Sequence, residues 1–354
     1  MIEKLFEKQY SSNPSISGFT PGRVNLIGEH TDYNGGMVLP TALKLGVTIA
    51  LSPRKDGKIQ ITSDKFDETA LRTIHDASSG HWSDYIVGAV QEAITQGYLE
   101  NGADIAVSTT LPFGAGISSS AAVTVGVLKL TRDLSGANIT DTQIAIQARH
   151  VENEFIGMPC GIMDQMAVAI AHEGQALALD TDSLRYSLID LPTDYHMAVV
   201  HSGQFRQLNE GRYKERKEEC DKIKAFLGTD DICQISDSAL QSLSSLSDRL
   251  QKRAKHCATE HRRTISAIEA IKSNEIAKLG QLMSQSHSSM RDDFDITLPK
   301  VDALVEDAVK FGALGARQTG GGFGGCIVAC VPKKNVTKWS EKLLSYHSEA
   351  FWVC

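Results

Sequence analysis

Leu111-Pro-Phe-Gly-Ala-Gly-Ile-Ser-Ser-Ser-Ala-Ala122 sets two glycines and three consecutive serines at the mouth of an apolar, helically spaced stretch, and its reading decides the fold. Gly114, Ala115 and Gly116 let the backbone approach a ligand closely. Ser118, Ser119 and Ser120 then open a helix, whose first turn offers unpaired N–H groups and the positive end of a dipole. The pattern is a candidate phosphate cradle from which a hydroxyl can also reach a magnesium ion. A plain serine N-cap at a glycine turn is the alternative. Two common phosphate motifs are excluded. No GxxxxGK[ST] occurs, since Gly57-Lys58 is followed by Ile59. Gly320, Gly322 and Gly325 match GxGxxG but run into the strand-like Cys326 to Val331, where a dinucleotide fingerprint needs a helix.

Working outward, two further segments are built of similar material. Pro21-Gly-Arg-Val-Asn-Leu-Ile-Gly-Glu-His-Thr-Asp-Tyr33 places Arg23, Asn25, Glu29, His30 and Asp32 around Leu26-Ile27 and a tight Gly28. One acidic side chain can bind two neighbouring hydroxyls, which is how proteins read the stereochemistry of a small polyol. A solvated loop ahead of an Asn-Gly-Gly hairpin is the alternative. Thr319-Gly-Gly-Gly-Phe-Gly-Gly-Cys326 is the third segment. Glycine runs and clustered hydroxyls are poor core material, so a chain carrying three such segments should be using them.

The 354 residues suit one large or two medium domains, and two are expected, with a border near 190–195. A content of 42% hydrophobic and 22% charged residues, without a membrane-length apolar run or a secretory leader, points to a cytoplasmic globular enzyme. A net charge of −7 argues against a duplex nucleic-acid partner. Seven scattered cysteines, none spaced CxxC, suggest reduced thiols rather than a disulfide framework or zinc site. The eleven histidines show no HxxxH or HxH spacing. Short strands are expected at 16–19, 38–39, 45–51, 59–62, 105–109, 176–179, 186–190, 196–201 and 326–331. Asn34-Gly-Gly36 and Lys55-Asp-Gly57 read as hairpin turns. Helices are expected at 82–96, 119–134, 141–155 and 163–171, with two or three more over 212–284. Strand-rich and helix-rich portions mix without strict alternation, which favours α+β.

Taken together, the three segments resemble the galactokinase branch of the GHMP small-molecule kinases, with further agreement from Met158-Pro-Cys-Gly-Ile-Met-Asp-Gln165 and Ser286-His-Ser-Ser-Met-Arg-Asp-Asp-Phe294. The resemblance spans almost the whole chain. It implies a two-domain α+β architecture: a ribosomal-protein-S5-like N-terminal domain over 1–193 and a ferredoxin-like C-terminal domain over 194–354. The implied activity is ATP-dependent phosphorylation of the anomeric C1 hydroxyl of galactose, with Mg²⁺, in a protein that is a monomer by default. By the same resemblance Arg23 and Asp164 flank the anomeric hydroxyl, and Glu29, His30, Asp32, Gly161, Asp164 and Tyr213 line the sugar. Pro112, Gly114, Ala115, Gly116, Ile117, Ser118, Ser119, Ser120 and Ala121 wrap the triphosphate, Trp82 lies near the adenine, and Ser120 with Glu152 holds magnesium.

Without the family, Glu152 reads as a solvated carboxylate on a polar helix face, Tyr213 as a surface helix start, and Asp164 as an N-cap aspartate. Gln318 stands where Met is common, and His201-Ser-Gly-Gln departs from the usual loop. These departures bear on the sugar preferred, because the loop 201–213 is expected beside the hexose. Another galacto-configured sugar, such as N-acetylgalactosamine, is therefore an alternative substrate. A catalytically silent sugar sensor is disfavoured because Arg23, Glu152, Asp164 and Ser118 to Ala122 are intact. A mevalonate-type activity is disfavoured because Glu29-His30-Thr31-Asp32 would repel an anionic substrate.

Overall fold

A computed structural model describes residues 2–205 and 210–354. The chain divides into two compact α+β units, one comprising Met1–Arg23, Leu43–Leu111 and Ser118–Ile170, the other Val24–Ala42, Pro112–Ile117 and Ala171–Cys354. Among the described residues no helix is long and apolar enough to cross a membrane.

In the first unit, β-branched and aliphatic residues at alternate positions build the sheet. The strand Pro40–Pro53 runs antiparallel to Ala103–Thr109, with Ile49 opposite Val107 and Leu51 opposite Ile105. Lys58–Ser63 lies parallel to Ala103–Thr109, and Ala70–Thr73 lies antiparallel beside Lys58–Ser63. The Lys55-Asp-Gly57 turn therefore departs from expectation. Gly57 takes the left-handed conformation that Asp-Gly favours, but Ala103–Thr109 sits between the two strands that the turn connects. Turn chemistry determines where the chain reverses, and longer-range burial decides which strands pair. In the second unit Leu26 N donates to Leu39 O at 3.0 Å and Leu39 N to Ile27 O at 3.1 Å, closing a long loop around Asn34-Gly35 rather than a tight hairpin, for the strand Met37–Val38 pairs with Gln175–Asp180.

The expected helix at 141–155 is two elements. Asp141–His150 starts at a capping box in which Thr140 N donates to Gln143 Oε1 at 2.9 Å and Gln143 N to Thr140 Oγ1 at 3.3 Å. It then widens into a π-helical turn, Val151–Phe155. Such turns occur often at functional sites because they push one side chain out of the regular helical array. The N-terminal helix Ile2–Tyr10 was not expected, since its charges obscure a short apolar stripe. Ile2 and Phe6 pack on Ala50 and Ala106, and the Tyr10 hydroxyl donates to Ile105 O at 2.9 Å.

The second unit holds an antiparallel sheet in the order Gly315–Gln318, Cys326–Pro332, Tyr195–His201, Phe351–Trp352. Its first and last strands are short and escaped the sequence reading. The helices Pro299–Lys310 and Val336–Tyr346 bury Val301, Leu304, Val305, Trp339 and Leu343 against Val200, Ile327, Ala329 and Val331. Three other helices, Glu210–Leu227, Asp248–Lys272 and Ile276–Asp292, enclose a second core of Cys220, Ile223, Cys257, Met290, Phe294 and Phe323. Trp339 is the largest fully buried side chain, and its Nε1 donates to Ala308 O at 2.8 Å. Replacing it by alanine leaves a cavity and an unpaired carbonyl. Trp339→Ala is expected to lower stability by about 3–5 kcal/mol, read as a fall in the denaturation midpoint followed by circular dichroism. A change below about 1 kcal/mol would show that this core does not hold the sheet.

Candidate active site

In the first unit, Arg23 stands near the end of the strand Ile16–Asn25 and Asp164 in the first turn of the helix Met163–Ile170. The guanidinium meets the carboxylate as a fork: Arg23 Nε donates to Oδ1 at 2.8 Å and Nη2 to Oδ2 at 2.7 Å. Arg23 is buried and Asp164 is partly open, so the arginine is a fixed frame and the carboxylate is the accessible partner. Ser118 Oγ donates to Asp164 Oδ2 at 2.6 Å. Its backbone is left-handed at φ 63°, a conformation a serine adopts only under constraint. The hydroxyl expected among the phosphate ligands is thus bonded to the carboxylate expected to act on the sugar.

The helix Ser119–Ser135 begins directly after Ser118, and its first backbone bond runs from Ala122 N to Ser118 O at 2.9 Å. The N–H groups of Ser119, Ser120 and Ala121 precede that bond and stand at the positive end of the dipole. Ser120 Oγ donates to Glu152 Oε2 at 3.4 Å, and Gln165 Nε2 to Glu152 Oε1 at 2.7 Å. The π-helical turn carries Glu152 into a buried position, where desolvation pushes its carboxyl up to about 7 despite the Gln165 bond. A carboxylate and a hydroxyl are hard oxygen donors, and magnesium in kinases is held by one or two such groups together with substrate phosphates and water. The buried carboxyl, whose desolvation outweighs the pull of the Arg23 charge and the Gln165 bond, fits that ion. Gly161 is buried in the elbow before Asp164, and Cys160 N donates to Asn153 Oδ1 at 2.9 Å.

Elsewhere in this unit Trp82 stacks on Phe66, with centroids 4.5 Å apart and an interplanar angle of 12°, and its Nε1 donates to Glu68 Oε1 at 3.3 Å. The loop leading to it is anchored by Asp84. Oδ2 accepts from the N–H groups of Ser79, Gly80 and His81, and Oδ1 from Arg72 Nη1 at 2.7 Å. Burial opposes the charge of Asp84, but these donors outweigh it and hold the carboxyl down at about 2.

The second unit carries the Gly28 to Tyr33 turn and the other expected sugar ligands. Gly28 has φ 100°, and a Cβ there would lie 2.6 Å from Met37 O, so only glycine fits. His30 is also left-handed, at φ 59°. Its ring lies 5.2 Å from the Tyr213 ring and 4.9 Å from Phe294, and Nδ1 is 2.7 Å from Tyr33 Oη. Asp32 is half-buried beside it. Of the expected loop 201–213, residues 206–209 lie outside the described residues. Gly114 and Gly116 have φ of 67° and 69°, which accounts for glycine at both positions of the cradle.

Behind the sugar signature Glu29 and Asn25 meet Arg317, Glu260 and His256, three residues that the sequence reading missed. Glu29 is 2% exposed, and its Oε2 accepts from Arg317 Nη2 at 2.7 Å and Asn25 Nδ2 at 3.1 Å. Arg317 Nη1 donates to Asn25 O at 3.0 Å, and Thr319 Oγ1 lies 3.0 Å from both Asn25 N and Asn25 O. The third glycine segment, a loop between the paired strands Gly315–Gln318 and Cys326–Pro332, thereby holds the first. From the helix Asp248–Lys272, Glu260 Oε1 accepts from Gly28 N at 3.0 Å and Glu29 N at 3.3 Å, and His256 Nε2 lies 3.1 Å from Glu29 O. Because a carbonyl only accepts, His256 carries its proton on Nε2; burial keeps the ring neutral by lowering it to about 4. A lone arginine in the apolar strand before Thr319 was a legible signal. Glu260, in the charged run Glu-His-Arg-Arg263, offered none.

Comparison with known proteins establishes the family. The galactokinase galactose-binding signature matches residues 4–53, the GHMP kinases N terminal domain residues 84–172, and the GHMP kinases C terminal domain residues 267–346. A galactokinase of Haemophilus influenzae is 37% identical over 99% of this chain and 96% of its own, and that of Pasteurella multocida 36% over the same shares. The crystal structure of Lactococcus lactis galactokinase complexed with galactose superposes with a TM-score of 0.93 at 30% identity, covering 99% of this chain and 96% of that one. The Methanococcus jannaschii mevalonate kinase shares the fold, with a TM-score of 0.69 at 21% identity. With the signature and both kinase domains matched, and relatives this similar along their whole length, the chain belongs to the galactokinase family of GHMP kinases.

Proposed function

We propose that the protein transfers the γ-phosphoryl group of ATP to the anomeric C1 hydroxyl of galactose, giving galactose 1-phosphate and ADP. The observation that carries this reading is the Arg23–Asp164 fork, with Ser118 as a third partner, set one residue before a helix N-terminus that suits a phosphate. The C1 oxygen forms a bond to the γ-phosphorus as the bond to the β,γ-bridging oxygen breaks. The proton of the C1 hydroxyl passes to Asp164, which the fork and the Ser118 hydroxyl keep oriented. Arg23 stabilises charge on the transferring group, and the amides of Ser119, Ser120 and Ala121 receive the phosphates. Phosphoryl transfer depends on positioning and charge stabilisation more than on covalent catalysis, which suits such a fixed frame.

Ser120 and Glu152 would hold Mg²⁺, which supplies neutralisation of phosphate charge when bound. Glu29, His30, Asp32, Gly161 and Tyr213 form the sugar wall in this reading, and Trp82 on Phe66 offers a stacking face for adenine. We assign the N-terminal functional domain to 1–193 and the C-terminal one to 194–354, consistent with the kinase-domain matches at 84–172 and 267–346. We place the reaction in the cytoplasm, in keeping with seven cysteines that are all free thiols.

Three outcomes test the reading. In an ADP-release assay with Mg-ATP, turnover is expected to be highest on galactose, with glucose rejected. Preference for N-acetylgalactosamine would move the substrate, and no turnover on any sugar would overturn the kinase reading. Asp164→Asn is expected to lower kcat by about 10²–10⁴ while ATP binding persists, and near-normal kcat would remove Asp164 from the chemistry. The third test concerns the buried carboxyl of Glu152. Its folded value lies above the ordinary one, so the neutral form favours folding at acid pH and this contribution is lost as pH rises to about 7. Protons and magnesium then compete for one group. Magnesium affinity, read from thermal stabilisation in the presence of a non-hydrolysable ATP analogue, is expected to be about tenfold weaker at pH 6 than at pH 8. Glu152→Gln should abolish that difference, and an equal difference in the variant would assign the metal elsewhere.

A further inference from the structure

Glu260 lies outside all three matched segments, residues 4–53, 84–172 and 267–346. It nevertheless gathers donors from three parts of the chain at the Gly28 to His30 turn. Its exposure is 0%, and Oε1 gathers Gly28 N at 3.0 Å, Glu29 N at 3.3 Å and Ser286 Oγ at 2.6 Å. Oε2 accepts from Arg263 Nε at 2.8 Å, and Arg317 Nη2 stands 3.9 Å from Oε1. The two amides that it receives flank the glycine with φ 100° and directly precede His30 with φ 59°. Consecutive N–H groups turned toward one anion require that backbone shape, and a neutral acceptor holds them less strongly.

We infer that Glu260 is a positioning residue for sugar recognition: by fixing the Gly28 and Glu29 amides, it sets the direction in which Glu29 and His30 are presented. The inference rests on the assignment of this turn to the sugar. Burial opposes the charge of Glu260, but Arg263 and Arg317 outweigh it and hold the carboxyl down at about 2, so the anion persists across the working pH range. Arg317 joins the same frame from the other side, through Glu29 and Asn25 O. Sugar recognition is therefore built on a helix some 230 residues away in sequence from the turn it holds.

The test compares Glu260→Gln, Glu260→Asp and Ser286→Ala in the full-length protein. Glu260→Gln presents an amide to two N–H donors and two guanidiniums. It is expected to raise the KM for galactose by about tenfold or more, with kcat and the KM for Mg-ATP within about twofold of wild type. Glu260→Asp, which keeps the charge but withdraws it by one methylene, should show the same split to a smaller degree and serves if the glutamine variant does not fold. Ser286→Ala removes a bond to the same oxygen without touching the amides. It should lower the melting temperature and leave the galactose KM within about twofold. Equal changes in both KM values, or a lower melting temperature with an unchanged galactose KM in the Glu260 variants, would overturn the inference. Amide hydrogen exchange separates it from the choice of substrate. Glu260→Gln is expected to speed exchange at Gly28 and Glu29, and unchanged rates there overturn the positioning role whichever sugar wild type accepts. Wild type that fails on galactose while those amides respond would instead overturn the substrate assignment alone.

Discussion

Two carboxylates, Glu29 and Glu260, are buried with the Arg317 guanidinium behind the sugar signature, and the partly exposed Arg263 closes the group at its edge. Removing charges from water is costly, and the mutual attraction offsets it only where geometry is good and the remaining polar atoms find partners. Backbone amides, the Ser286 hydroxyl and Asn25 supply such partners to the two carboxylates, whereas Arg317 Nε and Arg263 Nη2 find no hydrogen-bond acceptor among the described residues. The reward is shape rather than net stability. A turn with left-handed backbone at both Gly28 and His30 opposes local preference, and the buried anion overrides it by binding the amides that this shape presents. Arg317 and Thr319 extend the same frame to the strand and loop that bear the third glycine segment.

The first unit solves a related problem differently. Arg23 is fixed by burial, Asp164 by the guanidinium fork, and Ser118 by a left-handed backbone that aims its hydroxyl at the carboxylate. The π-helical turn then brings Glu152 to Ser120, where desolvation leaves its carboxyl poised near neutrality. The charged groups are thus oriented before any ligand arrives. Preorganisation of this kind is what a phosphoryl-transfer site needs, because little reorganisation is left for the reacting complex.

Glycine serves these sites in two ways. At Gly28, Gly114 and Gly116 it supplies a backbone angle that other residues resist. At Gly322 it also leaves room, since a Cβ there would lie 2.7 Å from that of Ile296. The density of glycine in the three segments thus has a geometric cause, and this explains why the segments stand out in an otherwise ordinary composition.

Much of this was legible in the amino-acid sequence because it depends on properties each residue carries with it. Left-handed glycine positions, the serine-led helix start and the strand after Gly325 all follow from local conformational preference and periodicity. The family's own residues could then be placed on the chain by motif. Local preference was therefore enough for the α+β class, the three segments and the chemistry of their side chains. Tertiary structure alone decided the partners: that Ala103–Thr109 lies between strands joined by an Asp-Gly turn, that Ser118 bonds to Asp164, and that Glu260 and Arg317 hold a turn more than two hundred residues away. The physical reason is that a buried charge takes its role from the donors folded around it, and those donors come from parts of the chain that no local pattern connects.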